Sequence, residues 1–548
     1  MTGQRVVAVT GGGGGIGAAI AEALGREGAF VVTMDPLVSL DGTEQLPTPE
    51  ETTAGRIVAA GGAARASSVS VTDGDAIRGL FADLVEELGR LDAVVNVAGI
   101  TRPTSFARGR EEDWRAVLDV HLDGYLNILA AALPIMSAAG HGRILGVTSG
   151  SGWRAADTGA YGCAKRAVAA LTWQLGRATP PGVVVNAVSP IAVTRMVTAA
   201  LGRLAGTGGG GSGSSATGGL SLGSMPDPDH LGPFGAHLVG EDFSWCSGCV
   251  LFAGGSEVAV IDEPRLLEVV RSDDVASLAH VLEAVATGAL VPAEARQASN
   301  GGSNPRFGPI FDEPVAGDLL PAAVRSCALV AEDPEVAAAV TAALEARAVT
   351  CSTVPVGDVA PGFGGAAAAL ASAVARVGPL DAVVVALEGA GPAAGSTSDW
   401  ERVLAEHGGI VEHIHADAGW ARAVADYAGA ADRPVRLVTL TDATTAGGRS
   451  RAQASAQLSR AGRGATGERV SAFAVSMEAP KGDGRRPIGE LVAHLLCHPE
   501  ATALSGAELV AGPGWFGLRS HPRPSASITF GGPGVPDWLD GTLRSIVG

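Results

Sequence analysis

The stretch VVAVTGGGGGIGAAIAEALGREGAFVVTMD, residues 6–35, decides how this chain is read. VVAVT (6–10) is a short apolar run with the length and Val content of a buried strand. IGAAIAEALGREG (16–28) follows as a helix with a glycine stop, and FVVTMD (30–35) is a second strand. A glycine turn between strand and helix lets backbone N–H groups approach a pyrophosphate at the helix N-terminus. The chain has 78 glycines in 548 residues, about twice the ordinary share, so a glycine run alone says little. The strand before it, the helix after it and Asp35 closing the next strand make the pattern specific. A carboxylate at that point accepts hydrogen bonds from an adenosine ribose and repels a 2′-phosphate, which favours NAD over NADP. The plain alternative for Asp35 is a strand-end turn residue.

The same alternation continues. LDAVVNVAG (91–99), GRILGVTS (142–149) and GVVVNAVSP (182–190) are Val-rich strands between helical stretches, which predicts an α/β fold with a parallel sheet covered on both faces. The pattern then recurs in order. LDAVVNVAG returns as LDAVVVALEG (380–389), DWRAVLDVH (113–121) as DWERVLAEH (399–407), and GRILGVTS as VRLVTLTD (435–442). This order predicts a tandem duplication of one doubly wound, Rossmann-like unit: residues 1–300 and 318–548. The boundary falls near the Gly-, Pro- and Asn-rich stretch 296–318. The Gly/Ser-rich segment 204–224 lies inside the first unit and is a candidate active-site loop.

A formal net charge of −18 argues against nucleic acid or an anionic membrane as partner. The six cysteines are scattered; Cys246 and Cys249 form one close pair, with no second pair or histidine cluster to complete a zinc site. There is no signal-peptide pattern at the N-terminus and no uninterrupted apolar run of about 18 residues. A soluble, reduced, cytoplasmic protein is expected.

YGCAK (161–165) holds one of three tyrosines and one of two lysines in the chain, four residues apart and so on one helix face. Together with TGGGGGIG (10–17), NVAG (96–99) and Ser149 in GVTSGSG, it makes residues 1 to about 260 resemble the short-chain dehydrogenase/reductase family. The family's TGxxxGxG turn, NNAG and YxxxK motifs are matched in order. Ser149 stands twelve residues before Tyr161 where the family usually has thirteen, and Ser151 is the weaker candidate. The resemblance implies a nicotinamide-dependent oxidoreductase interconverting a secondary alcohol and a ketone. It implies catalytic Tyr161, Lys165 and Ser149, and cofactor contacts from Thr10, Gly11, Gly15, Ile16, Gly17, Asp35, Asn96, Ala98, Gly99, Tyr161 and Lys165. Hydride transfer to a carbonyl needs a proton as well, and a phenol near pKa 10 must come down by about three units to serve near neutrality. A Lys165 ammonium about 4 Å away would supply a shift of that size. Ser149 would hydrogen-bond the substrate oxygen.

The family usually carries Asn, holding a proton-relay water, where LDVHLDGYLN places His121. Imidazole relays protons too, and a buried structural histidine is the alternative. The VHL step resembles the dehydrogenase units of multifunctional β-oxidation enzymes, implying a 3-hydroxyacyl thioester. The apolar neighbourhood of Trp153, Ile191 and Met196 suggests a steroid or terpenoid alcohol instead. Ser70 stands where the family has an adenine-contacting Asp.

In the second half VAEDPEVA (330–337) aligns with the glycine turn, placing Glu332, Asp333, Pro334 and Glu335 there. Carboxylates would face a pyrophosphate, and proline removes an N–H. Tyr161 and Lys165 align with Ala452 and Ala456. This unit is expected to bind no dinucleotide and to act as a built-in partner, so that a homodimer of chains would mimic a tetramer. A non-catalytic NAD-binding scaffold or sensor is the competing reading. No metal is expected.

Overall fold

The structure is a computed structural model and describes residues 3–198, 225–271, 281–297, 324–482, 485, 487–532 and 534–547. The 204–224 segment, and the boundary stretch from residue 298 to 318, lie outside the described residues.

The first unit runs β1 (Val6–Thr10), α1 (Gly15–Arg26), β2 (Phe30–Met34), α2 (Thr53–Ala59), β3 (Ala63–Ser67), α3 (Gly74–Leu88), β4 (Ala93–Asn96), α4 (Glu111–Leu118), α5 (Gly124–Ala139), β5 (Gly142–Val147), α6 (Gly159–Ala178), β6 (Val183–Pro190), α7 (Gly232–Leu238), β7 (Val250–Gly254), β8 (Glu257–Asp262), β9 (Leu266–Arg271) and α8 (Thr287–Ala295). The second runs β10 (Ser326–Ala331), α9 (Pro334–Glu345), β11 (Thr350–Val354), α10 (Phe363–Val377), β12 (Ala382–Ala386), α11 (Asp399–Glu406), α12 (Ile410–Ala430), β13 (Val435–Asp442), α13 (Ala446–Ala465), β14 (Val470–Met477), α14 (Ile488–Cys497), β15 (Glu508–Gly512), β16 (Trp515–Arg519), β17 (Arg523–Thr529) and α15 (Leu539–Val547).

The strands form two sheets of parallel-dominated α/β type, ordered β17-β8-β7-β6-β5-β4-β1-β2-β3 and β11-β10-β12-β13-β14-β15-β16-β9. Matched strand for strand, the second repeats the first and lacks a counterpart of β3. The central strands are fully buried Val- and Ala-rich runs because helices cover both faces, as in β1 and β12. The two units exchange arms. β9 leaves the first unit to pair antiparallel with β16, and β17 leaves the second to pair antiparallel with β8. Leu539 and Leu543 of α15 are buried in the apolar core around α1 and α7. The two sheets therefore trade strands across the boundary near 300.

One apolar cluster runs through both units. Trp114, Leu118 and Ile128 from the first and Ile410, Ile414 and Trp420 from the second belong to it. At its centre α6 packs along α13. Each of these helices has 20 residues and ends five positions before its next strand. That match places Gly448 and Ala452 opposite Tyr161 and Lys165, four residues earlier than the sequence alignment. Both side chains are still lost. The continuous helical stretch Glu111–Ala139, 29 residues, is long and apolar enough to cross a membrane by length and composition. Here it is a core helix, with Trp114, Val117, Leu122 and Ile128 buried.

Candidate active site

β1 and β4 are adjacent in the sheet while the chain winds outward from them to β2 and β5, so the crevice beyond their C-terminal ends is the switch point of the fold. Thr10 ends β1 and ties this point together. Its hydroxyl donates to Asn96 Oδ1 at 2.8 Å and accepts from the N–H groups of Val97 and Ala98, each at 3.1 Å. Thr10 and Asn96 are both buried and pin the floor of the crevice.

The glycine turn is as tight as its sequence implies. A Cβ on Gly17 would lie 2.2 Å from the Gly11 carbonyl oxygen, and one on Gly11 would lie 2.9 Å from Ala98 N. Gly11 and Gly15 also have positive φ, 64° and 54°. Helix α1 starts after Gly14 with no side-chain cap, so its first N–H groups stay available to an anion. Ile16 packs against the core beneath. Asp35 faces this turn: Oδ2 accepts from Gly13 N at 3.0 Å and Oδ1 from Leu37 N at 2.8 Å. A cradle closed to any side chain, uncapped amides and an aligned carboxylate suit the diphosphate and ribose of a dinucleotide. Across the turn, Arg195 Nη2 would stand 3.8 Å from a Cβ on Gly14. Ser70 sits just past β3 and bonds its own loop through Thr72, at 2.8 Å.

The side chains expected to react gather beside this cradle. Tyr161 and Lys165 share one face of α6. The Lys165 Nζ donates to the Val147 carbonyl at 2.7 Å and stands 5.7 Å from the Tyr161 ring centroid. The Thr148 hydroxyl donates to the Lys165 carbonyl at 2.5 Å, locking helix to strand end. Ser149 caps the short turn 150–152 and lies near enough to the Tyr161 hydroxyl to draw its pKa down. Ser151 instead accepts from Arg154 Nη2 at 2.7 Å, so Ser149 is the serine brought to the tyrosine.

The electrostatics differ from the sequence expectation. Burial raises the Tyr161 pKa; the nearby Ser149 hydroxyl and the Arg154 guanidinium pull against it. Burial likewise lowers Lys165 to about 7. The Lys165 ammonium expected to depress the phenol is itself disfavoured, because both groups are desolvated in the same pocket. The cation acting on Tyr161 is Arg154, itself lowered by burial to about 10.

His121 lies in a π-turn, Asp119–Asp123, its ring edge-on to Tyr161 with centroids 5.0 Å apart. Its Nε2 is 2.8 Å from the Ile100 carbonyl oxygen, and its buried Nδ1 has no hydrogen-bond partner among the described residues. Burial lowers it to about 3, so it is neutral at physiological pH. A Cβ on Gly99 would meet its Cε1 at 2.4 Å, which explains the glycine ending NVAG. His121 thus touches Tyr161, and one of its nitrogens is taken by the main chain.

The corresponding crevice of the second unit is filled. Arg485 is buried between Asp333, at 2.6 Å, and Asp442. Lys481 pairs with Glu388 at 2.5 Å, and Glu335 accepts from Gly482 N at 2.8 Å. The carboxylates that replace the glycines are engaged by the unit's own cations and amides.

Residues 5–203 match the family model described as short chain dehydrogenase. The short-chain reductase protein NovJ of Streptomyces niveus is 38% identical over 34% of this chain and 68% of its own length. A 3-oxoacyl-[acyl-carrier-protein] reductase of Synechocystis sp. is 35% identical over 34% of this chain and 73% of its own. The crystal structure of a short chain dehydrogenase from Mycobacterium avium is 32% identical, covering 52% of this chain and 95% of that one, with a TM-score of 0.40. With the ordered motifs, the glycine cradle and the Ser149–Tyr161–Lys165 cluster, the family-model match and the two similar reductase sequences show that the chain belongs to the short-chain dehydrogenase family, oxidoreductases of hydroxyl and keto groups.

Proposed function

We propose that the first unit is an NAD-dependent oxidoreductase interconverting a secondary alcohol and a ketone. The convergence of Ser149, Tyr161 and Lys165 beside the glycine turn carries this reading. The nicotinamide dinucleotide, when bound, supplies or accepts the hydride. Gly11, Gly15 and Gly17 would admit its diphosphate, and Asp35 would hold its adenosine ribose. Tyr161 exchanges the proton with the substrate oxygen, Ser149 hydrogen-bonds that oxygen, and Lys165 braces the tyrosine's helix against β5. Asp35 supports NAD, because a 2′-phosphate would meet a carboxylate fixed by two backbone amides. The similar reductase named for a 3-oxoacyl carrier-protein substrate and the His121 step together favour a 3-oxoacyl or 3-hydroxyacyl thioester over a steroid or terpenoid alcohol.

The filled crevice of the second unit supports one dinucleotide per chain, and its packing on α6 supports a homodimer of pseudo-tetrameric design. The decisive experiment pairs Tyr161→Phe with fluorescence titrations of NADH and NADPH. Turnover of S-acetoacetyl-N-acetylcysteamine should vanish while one NADH per chain still binds, more tightly than NADPH. Turnover surviving in Tyr161→Phe would refute the assignment. NADH binding with no turnover of any ketone by the wild type would favour the scaffold reading.

A further inference from the structure

The loop joining Ser149 to Tyr161 is held from both sides, and one side belongs to the other unit. Beneath it, α6 comes so close that only glycine fits. A Cβ on Gly152 would lie 2.9 Å from Arg166 N, and one on Gly162 would lie 2.8 Å from the Ser151 carbonyl oxygen. Above it, α13 supplies the hydrogen bonds. Gln457 Nε2 donates to the carbonyl of Ser151 at 3.0 Å and to that of Arg154 at 2.9 Å. Arg460 Nη1 donates to the carbonyl of Trp153 at 2.5 Å. Three of the four carbonyls from Ser151 to Arg154 therefore end on second-unit side chains.

These donors are themselves fixed. Gln457 Oε1 accepts from Arg166 Nη1 at 3.4 Å. Arg166, fully buried one residue after Lys165, also reaches Gln453 Oε1 at 2.9 Å, Glu508 Oε2 at 2.5 Å and His521 Nδ1 at 3.3 Å. A continuous buried polar network thus links α6, α13, β15 and the arm carrying β17 to the backbone that aims Ser149 and Arg154 at Tyr161.

We infer that Gln457 and Arg460 are positioning residues for the reaction of the first unit: the second unit completes the active site in cis by holding the 150–154 backbone. This rests on the function proposed above. It goes beyond a packing role because the bonds end on the loop that orients the reacting groups. A shift of about 1 Å in such a loop costs up to a hundredfold in rate.

The test uses the full-length chain, with NADH and S-acetoacetyl-N-acetylcysteamine as probes. Gln457→Leu and Arg460→Met should each lower kcat by about 10- to 100-fold. NADH affinity should not change, and amides 150–154 should exchange hydrogen faster. Arg460→Lys, which keeps a donor for the Trp153 carbonyl, should restore most of the rate. Gln174→Ala removes a contact to Ser450 across the same helix pair without touching the loop, and should leave kcat unchanged. The proposal is overturned if kcat and loop exchange stay at wild-type values. It is equally overturned if activity falls only with NADH binding and thermal stability, or if Arg460→Lys is no better than Arg460→Met. Tyr161→Phe run in parallel separates the two readings. If it stays active, the catalytic assignment fails; if it is inactive while Gln457→Leu and Arg460→Met are normal, only the positioning role fails.

Discussion

Four buried histidines should make this protein acid-sensitive well above the range in which carboxylates protonate. Burial lowers His121 and His521 to about 3, and His407 and His494 to about 4, from an ordinary 6.5. Each folded pKa lies below its unfolded value. Between pH 6.5 and the folded pKa, the unfolded chain binds a proton that the folded chain refuses, so stability falls as pH falls. From pH 7 to pH 5 each histidine costs about 2 kcal/mol, or about 8 kcal/mol for the four. Asp123 works in the opposite direction. Burial, reinforced by Glu412 and Asp119, raises it to about 6, so the folded state takes up its proton first and regains about 1 kcal/mol. Glu27, Asp119 and Glu508 are also raised by burial and act in the same sense, whereas His141 and His413, also lowered by burial, act against them, so the net loss is on the order of 7 kcal/mol. Against a total of about 5–15 kcal/mol, that is a large fraction of the stability, and at the lower end of the range it brings the unfolding midpoint near pH 5. Urea unfolding followed by the fluorescence of the eight tryptophans, at pH 7 and pH 5, measures the difference. Because one apolar cluster spans both units, a single transition is expected. His407→Gln should flatten the pH dependence by about 1.4 kcal/mol per unit. Equal stability at the two pH values, within about 1 kcal/mol, would refute the claim that these imidazoles are held neutral.

Two other perturbations test separate parts of the structure. Asp35→Asn removes the charge opposed to a 2′-phosphate, and should raise NADPH affinity relative to NADH by at least about tenfold in paired fluorescence titrations. An unchanged ratio would show that Asp35 only closes its turn. Arg166→Met strands the buried Glu508 carboxylate and should cost about 3–5 kcal/mol in urea unfolding. The double variant Arg166→Met/Glu508→Gln should recover part of that loss.

The parts legible in sequence are those encoded locally. The glycine turn, the Val-rich strands, Asp35 and the YxxxK spacing each depend on a few neighbouring residues, and the structure brings Ser149, Tyr161 and Lys165 together as expected. The repeat was legible because strand and helix order is a one-dimensional signal. The arm exchange was not, since β9 pairs with β16 about 250 positions away and nothing within LLEVVR names its partner. The offset in the second unit arose in Ala-rich α13, where an alignment slides by a helical turn without penalty. Gln457 and Arg460 were missed because polar residues in such a helix read as a solvated face. The burial of Gln457 and the half-burial of Arg460 follow only once α6 is packed against them. The Lys165–Tyr161 electrostatics failed for a related reason: spacing gives proximity, whereas desolvation depends on the whole pocket.

The second unit shows what was kept and what was replaced. In the crevice that corresponds to the first unit's glycine turn, cations engage the carboxylates standing where the first unit has glycines, and Arg485 is buried between two acids. A buried ion pair of this kind is costly to break, so reopening the crevice to a diphosphate would mean separating Asp333 and Asp442 from Arg485. On the opposite side, α13 keeps its full length, its packing on α6 and the donors that reach the first unit's loop. A free homodimer would bring this helix pair together only at sufficient concentration, whereas covalent linkage and reciprocal strand exchange make the contact intramolecular. The active loop of the first unit is then supported at any protein concentration. This agrees with a second unit whose crevice is filled while its interface stays intact.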